Sequence, residues 1–533
     1  MATTRGRLAT AAVCAGLAAI VAAAFWQRWR VLGATPFPVG VDGYFYPVQV
    51  RSLLETGGLR YPSSPVTFYW MLPFAAATDP ITGAKIAAAL GTSLIAVPAY
   101  GVGARLGGSR GAGFVAAVIA ALSASSGYLP LEFVKQGVGL TVALAALWAI
   151  LRALEWAPDP TRGPADQSGK MIMPSARIGG AHVFAFRRVT VAVLAVVLAF
   201  ATHKLAAGFV IVVALPAVIA RVRRELRGRR LIYAVLLGVM ALIAIVVAGL
   251  VAPHRFVSLH DLQLVVHLFD PSGHYDAPAL LLPYGGAKLV FAHEALLAGL
   301  VSLAAATVLL VDARRVQPRL SRELRFVGLM IAALGVVIAV PFLRVDDPQG
   351  LGFRLRLAAF VPLALGAAIC AGELAHRFAR HALPILAGLA LAIAAIELPQ
   401  DRTEGLVLTH PDLAAAVGAA YGRIPAIATV IVPERHILFM VDWYTRAPVS
   451  LRPEAIPRRY RVRLFGLVFA GGKGSPLDRA LYTARRAPNV EPPLGLHPDD
   501  PNGLVLVSEP TWSWLLGHLP DEQRAHYAAW PTI

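Results

Sequence analysis

Charge is scarce in this sequence. Asp, Glu, Lys and Arg make up 15% of its 533 residues, where a soluble domain carries about 25%. Acid is scarcer still, with 31 Asp and Glu against 49 Lys and Arg. The resulting formal charge of +18 would suit nucleic acid if it lay on one polar domain. Instead the basic residues sit in short clusters between apolar runs, the pattern of topological anchors, so nucleic acid is not an expected partner. Cysteine is almost absent. Cys14 and Cys370 both lie in apolar runs, where an extracytoplasmic disulfide could not easily join them, and this leaves the redox compartment open. No repeat of fixed period is visible.

What is present is apolar sequence, 57% of residues with a mean hydropathy of +0.62, too much to hide in one aqueous core. A hydrocarbon layer about 30 Å thick needs about 20 apolar residues at 1.5 Å each. That ruler marks segments near 8–25, 82–103, 111–129, 138–154, 189–202, 205–220, 231–251, 291–311, 326–343, 357–374 and 382–398. The expectation is an all-α polytopic membrane protein of about eleven transmembrane helices, whose Gly and Ala content suits close packing in lipid.

Residues 189–220 read either as one long helix or as two short ones. Arg162, Lys170, Arg177, Arg187 and Arg188 precede them, while Arg221, Arg223, Arg224, Arg227, Arg229 and Arg230 follow. Both clusters belong on the cytoplasmic side. Only an even number of crossings returns the chain there, so a hairpin turning at His203-Lys204 is expected. The same parity puts Arg105 with Arg110, Arg314 to Arg325, and Arg377 with Arg380 inside a cytoplasmic (inner) membrane, with the N-terminus inside and the C-terminus outside. The first apolar segment also reads as a signal peptide behind Arg5 and Arg7, but its length favours a retained anchor.

The outer segments are then 26–81, 130–137, the 203–204 turn, 252–290, 344–356 and everything after 398. The hairpin arms of about 14 and 16 residues reach only about 21 and 24 Å. The turn is therefore expected below the outer surface, in protein or a wet cavity. Lys204 there needs either a partner such as a lipid phosphate or a path to the interface. In the first outer loop, Asp42 opens an amphipathic stretch closed by Gly57-Gly58, expected to lie along the membrane surface. Taken alone, Asp42 reads as a helix N-cap.

An Asp in the first outer loop, then a Tyr-rich helix with Tyr44 and Tyr46, then Tyr61-Pro62 and the run Phe68-Tyr69-Trp70, resembles the glycosyltransferase C (GT-C) superfamily. That superfamily includes oligosaccharyltransferases, protein O-mannosyltransferases and lipid A aminoarabinose transferases. The resemblance covers the layout of roughly residues 1–400 and implies a transferase with a polyprenyl-phosphate or diphosphate sugar donor and Asp42 as catalytic base. A base that strips the acceptor's proton and cations that stabilise the departing phosphate are what such a transfer needs. Where oligosaccharyltransferases carry a second acidic motif, this chain has only Glu132, followed by Lys135 and Gln136. That departure points to a lipid monophosphate donor without a tightly held metal, and leaves Mg2+ or Mn2+ open as a cofactor. Glu132 and Lys135 also read as helix ends facing water.

Arg354 and Arg356 enter the membrane edge where similar transferases bind the carrier phosphate, and Arg suits bidentate phosphate contact. The alternative is a set of interfacial anchors, balanced by Asp346 and Asp347. The expected site is thus Asp42 and Glu132 for catalysis, His203, Lys204, Arg354 and Arg356 for the donor phosphate, and Tyr44, Tyr46, Lys135 and Gln136 for substrate. The loop 252–290 holds His254, His260, Asp261, His267, Asp270, His274 and Asp276, but their spacings match no standard zinc motif. A gating loop or a plain interfacial segment fits them better.

Residues 1–398 are therefore expected to form the transmembrane unit and 399–533 a periplasmic or extracellular α/β domain, large enough to fold alone. Thr409 to Asp412 starts a helix reaching about Tyr421, and a strand follows near 428–432. Val441-Asp442-Trp443-Tyr444 has a loose similarity to the oligosaccharyltransferase acceptor motif. Trp443 and Tyr444 are expected in that domain's core, with Trp512 and Trp514 packing it on the membrane face or stacking on sugar. The expected partners are a polyprenyl-phosphate sugar donor, a glycan, lipid or protein acceptor, and the bilayer. Two alternatives are a lipid-linked saccharide transporter or flippase and a non-catalytic envelope-assembly protein.

Overall fold

The computed structural model describes residues 4–40, 42–154, 178–225, 285–316, 318–340, 343, 351–378, 430–431, 435–446 and 449–450, together with positions 236, 240, 243, 247, 250, 251 and 521. In chain order the helices are α1 (Thr4–Leu32), α2 (Phe45–Thr56), α3 (Val66–Ala77), α4 (Pro80–Ser93), α5 (Ala96–Leu106), α6 (Arg110–Leu122), α7 (Ala124–Glu132) and α8 (Val134–Leu154). They continue as α9 (Ile178–Thr202), α10 (Lys204–Glu225), α11 (Gly285–Ala313), α12 (Arg322–Ala339), α13 (Leu351–Arg356) and α14 (Phe360–Arg377). Beyond them, β1 (Val430–Ile431) pairs in parallel with β2 (Val449–Ser450) around α15 (Arg435–Thr445).

Among the described residues six helices are long and apolar enough to cross a membrane, or seven if the bent α6–α7 pair is one span. The chain is a multi-pass helical membrane protein. Segment 382–398, most of 231–251, Arg344, Asp346, Asp347, the histidines and aspartates of 252–284, the 409–421 helix, Trp512 and Trp514 lie outside the described residues.

Helices run past the apolar ruler because polar caps and basic ends continue the backbone ladder. Asp79 caps α4, its Oδ1 accepting the N–H groups of Ile81 and Thr82 at 2.8 and 3.0 Å, with Pro80 at a first position where its missing N–H costs nothing. Two expected loops are therefore helical over their described residues, apart from one break. The segment 130–137 is divided between α7 and α8 with a break at Phe133, and the second half of 344–356 is α13.

The hairpin expected at 189–220 is present, with His203 as its break. Arg188 of α9 donates to the Arg152 carbonyl near the end of α8 at 3.5 Å. At the other end of α9, His203 packs beside Gly139, close to the start of α8. The chain then runs back along α10 to Arg224, which meets Glu323 at the start of α12 at 2.8 Å. The arms are longer than expected, 25 and 22 residues, or about 37 and 33 Å. Each is long enough to cross a hydrocarbon layer about 30 Å thick, so helix length by itself does not require the turn to lie below the surface.

The two ends of the bundle differ. At one end Asp312, 0% exposed, accepts the Arg319 and Leu320 N–H groups and meets Arg315 and Arg325 at 3.4 and 3.8 Å. Nearby Glu373 holds Arg315, Arg377 and Arg319 at 2.5, 2.8 and 3.6 Å. Gly107 and Gly372 bring the backbone after α5 against α14 at this end, with no room for a side chain between them. The opposite end gathers the α7–α8 break, His203 and α13.

The α6–α7 break bends that pair by 45°. In an unbroken helix the Ser125 N–H would donate to the Ala121 carbonyl. Here each half of that bond is served by another helix. Arg28 of α1 donates from Nη2 to Ala121 O at 2.9 Å, and Glu294 of α11 accepts the Ser125 N–H on Oε2 at 3.1 Å. Arg28 also donates to Ala24 O at 2.9 Å and to Ser126 Oγ at 2.8 Å. Side chains inserted into the ladder are a recognised cause of a kink, and these two are almost fully buried. Replacing Glu294 by Leu leaves the buried Ser125 N–H unpaired, at an expected cost of about 1–3 kcal/mol. Thermal unfolding in detergent should show the double variant Arg28→Met/Glu294→Leu losing less than the sum of the single losses. Strict additivity would show that the two side chains act independently.

Candidate active site

The chain leaves α1 at Leu32 and reaches Asp42 through a tight turn. Gly40 has φ +89°, a left-handed conformation that favours glycine. A Cβ there would run into the Leu131 carbonyl and lie 3.1 Å from the Glu132 carboxyl. The turn therefore fits beneath the end of α7 only because position 40 has no side chain. The Phe45 N–H donates to the Asp42 carbonyl at 2.9 Å, and α2 follows to Gly57 at φ +73°. The cap position of α2 is Tyr44, with no side-chain cap bond. Asp42 is thus not the N-cap, because it lies two residues before that position.

Tyr46 is the hub of this region. Its ring is buried against Phe45 and Phe68, and its hydroxyl accepts the Lys135 N–H at 3.5 Å. Burial first, and then the negative charge of Asp42, push its phenol well above the ordinary range, with Glu132 adding to the rise and Arg354 opposing it. Tyr46 consequently stays a protonated donor across physiological pH, in the field of both carboxylates. Glu132 is 5% exposed, so it does not face water as a free helix end.

From α8, Lys135 donates to Ser63 Oγ at 3.0 Å and sits 5.0 Å from the Phe45 ring centroid. Gln136 donates to the Arg354 carbonyl at 2.9 Å, which ties α13 to α8. The Arg354 guanidinium lies 5.7 Å over Phe133. His203 is within electrostatic reach of Arg354, Lys135 and Lys204. Seven expected residues, Asp42, Tyr46, Glu132, Lys135, Gln136, His203 and Arg354, therefore meet at one end of the bundle, with Lys204 next in chain to His203. On the other side of the turn, Gly43 and Tyr46 line a small cleft with Met71, Lys85 and Pro130.

Two expected residues are engaged elsewhere. Arg356 donates to Ile338 and Val340 carbonyls at 3.3 and 3.1 Å. Its guanidinium serves the carbonyls left open at the end of α12, whereas the backbone of Arg354 is held to α8. Tyr44 is 2% exposed and its hydroxyl pairs with Tyr444 at 3.2 Å. That contact also relocates Trp443 and Tyr444. They pack on α2, with the Arg51 guanidinium 4.4 Å over the Trp443 ring, and not only within a separate core. Asp442, Arg51, Arg60 and Tyr61 were not singled out as site residues by sequence, and their meeting across about 390 positions leaves no local signal.

Among the described residues no group of three or more His, Cys, Asp or Glu could hold a metal. Asp42 and Glu132 are two carboxylates beside one phenol, and Mg2+ commonly takes one or two carboxylates plus substrate phosphate. Both cysteines are free.

No known family and no curated protein matches the sequence. Solved structures do align with it. The apo oligosaccharyltransferase of Archaeoglobus fulgidus aligns at 13% identity and TM-score 0.47, over 84% of this chain and 65% of that one. The same enzyme with zinc and sulfate aligns at 12% and 0.43, over 81% and 62%. ArnT of Cupriavidus metallidurans bound to undecaprenyl phosphate aligns at 14% and 0.44, over 81% and 85%. The chain is similar in layout to both enzymes. It spans less than two thirds of the oligosaccharyltransferase, and likenesses of this extent leave the chemistry to this chain's own residues.

Gly40→Ala places a methyl group against the Leu131 carbonyl in a left-handed turn. The expected cost is about 1–3 kcal/mol, read as a lower melting temperature in detergent, whereas Gly58→Ala, whose Cβ would meet Thr56 Oγ1 at an ordinary 3.9 Å, should melt near the wild type.

Proposed function

We propose that the chain is an integral membrane glycosyltransferase of GT-C type, moving a sugar from a polyprenyl-phosphate carrier to an acceptor on the outer face of the cytoplasmic membrane. The observation that carries this reading is the meeting of Asp42 and Glu132 with Lys135, Arg354 and the His203-Lys204 turn at the bundle end away from the arginine–carboxylate knot. The arginine-rich end is cytoplasmic under the positive-inside rule, so the site faces outward.

Asp42 takes the proton from the acceptor's nucleophilic group as that group bonds to the anomeric carbon. The C1–O bond to the carrier breaks, and the lipid phosphate departs with the electron pair. Arg354, Lys204 and Lys135 hold the negative charge that develops on it. Tyr46, kept protonated, donates a hydrogen bond within the same field. A Mg2+ or Mn2+ ion, if recruited by a phosphorylated donor, would sit on Asp42 and Glu132 and add further charge stabilisation. Three cations already serve the phosphate, so no metal is required by this arrangement.

Transfer from a fluorescent polyprenyl-phosphate sugar tests the reading. Asp42→Asn should lower kcat by about 10²–10⁴-fold with little change in donor KM. Arg354→Ala should weaken donor binding by about 10- to 100-fold, as loss of a charge-assisted contact does. Chelation with EDTA should leave turnover unchanged. Unaltered transfer in Asp42→Asn would remove the proposed base, and cysteine labelling that put positions 42 and 354 on opposite sides of the membrane would remove the site.

A further inference from the structure

Helix α15 reaches back across the chain to the outer segment that carries Asp42. At its centre Asp442 is 1% exposed. Its carboxylate accepts the Tyr61 hydroxyl at 2.5 Å and two Arg60 nitrogens at 3.3 and 3.4 Å. A third donor, Arg51, stands 3.9 Å away and gives its own hydrogen bonds to the Trp443 and Asp442 carbonyls at 2.7 and 3.1 Å. Phe439 packs on Phe45 and Tyr61, with centroids 4.8 and 5.4 Å apart. At the rim Arg446 pairs with Glu55 at 3.0 Å.

These contacts converge on α2. Arg51 and Glu55 belong to it, and Tyr61 is locked to Gln49 of the same helix by two reciprocal bonds of 2.8 and 2.9 Å. Helix α2 has no side-chain cap of its own. Its first turn carries Tyr46 and hangs from the Asp42 carbonyl. A carboxylate buried among two arginines and a tyrosine on one face of α2 therefore sets where the other face presents Asp42 and Tyr46 to the α7–α8 break.

We propose that Asp442 is a positioning residue, which holds α2 and the Asp42 turn in register with Glu132 and Lys135 through Tyr61, Arg60 and Arg51. The role in catalysis rests on Asp42 being the base proposed above. Bound in this way, Asp442 has its carboxylate occupied by the protein's own donors and not by an acceptor.

The test uses the full chain in detergent with Cys14 and Cys370 replaced by Ala, and cysteines at positions 55 and 446 joined by a short bifunctional thiol reagent. Crosslinking should be efficient with Asp442 intact, fall at least several-fold in Asp442→Asn, and recover in Asp442→Glu. Tyr61→Phe, a milder change that removes one donor, should lie between. In the transfer assay Asp442→Asn should lose at least tenfold in kcat with donor KM nearly unchanged, and the Glu variant should restore it. Wild-type crosslinking in Asp442→Asn, or wild-type kcat, would overturn the proposal. Crosslinking that behaves as expected in a protein that transfers no sugar would support the latch and sink the transferase reading instead.

Discussion

The architecture depends on one hydrogen bond that is not made. The α6–α7 span gives up the bond between Ser125 and Ala121, and two side chains from elsewhere take over its halves, Arg28 on the carbonyl and Glu294 on the N–H. In a lipid-surrounded bundle an exposed backbone group costs several kcal/mol, so such a break persists only where other helices supply partners. The bend then delivers Glu132 and the Leu131 carbonyl to the turn at Gly40. Both charged side chains come from helices that flank the bend, so the same contacts that open the helix also fasten α1 and α11 to it.

Electrostatics divide the molecule along its length. At the end with Asp312 and Glu373 the carboxylates are saturated by arginines, which fixes helix ends and leaves little reactive acid. At the other end Asp42 and Glu132 share a partly buried region with Lys135 and Arg354, and a buried phenol lies between them. The first arrangement ties helix ends together, whereas the second gathers both signs of charge around one buried phenol.

Much of the bundle was legible from hydropathy and basic clusters. The 203–204 turn followed from the basic clusters and parity, whereas Asp42, Glu132 and Arg354 were named through the resemblance to the GT-C superfamily, and Lys135, Gln136 and His203 from the segments they lie in. What hydropathy misjudged were the ends of helices, because the apolar ruler stops at Leu205 or Phe326 while caps and arginines carry the backbone ladder further. Arg356 was read with Arg354 through that resemblance, and its position gave no sign that the end of α12 would claim it. The contacts of Arg28 and Glu294 at the α6–α7 bend and those of Asp442 were invisible for a different reason. Each joins residues far apart in the chain, and a single sequence carries no record of such meetings.

The docking of α15 on α2 has a bearing on biogenesis. The segment after the first span emerges early in synthesis, yet Tyr61, Arg60 and Arg51 meet their carboxylate only when residue 442 has been made. A chain arrested before that point would have the preceding helices but lack this clamp, so the clamp closes in one late step and not gradually as each helix is added.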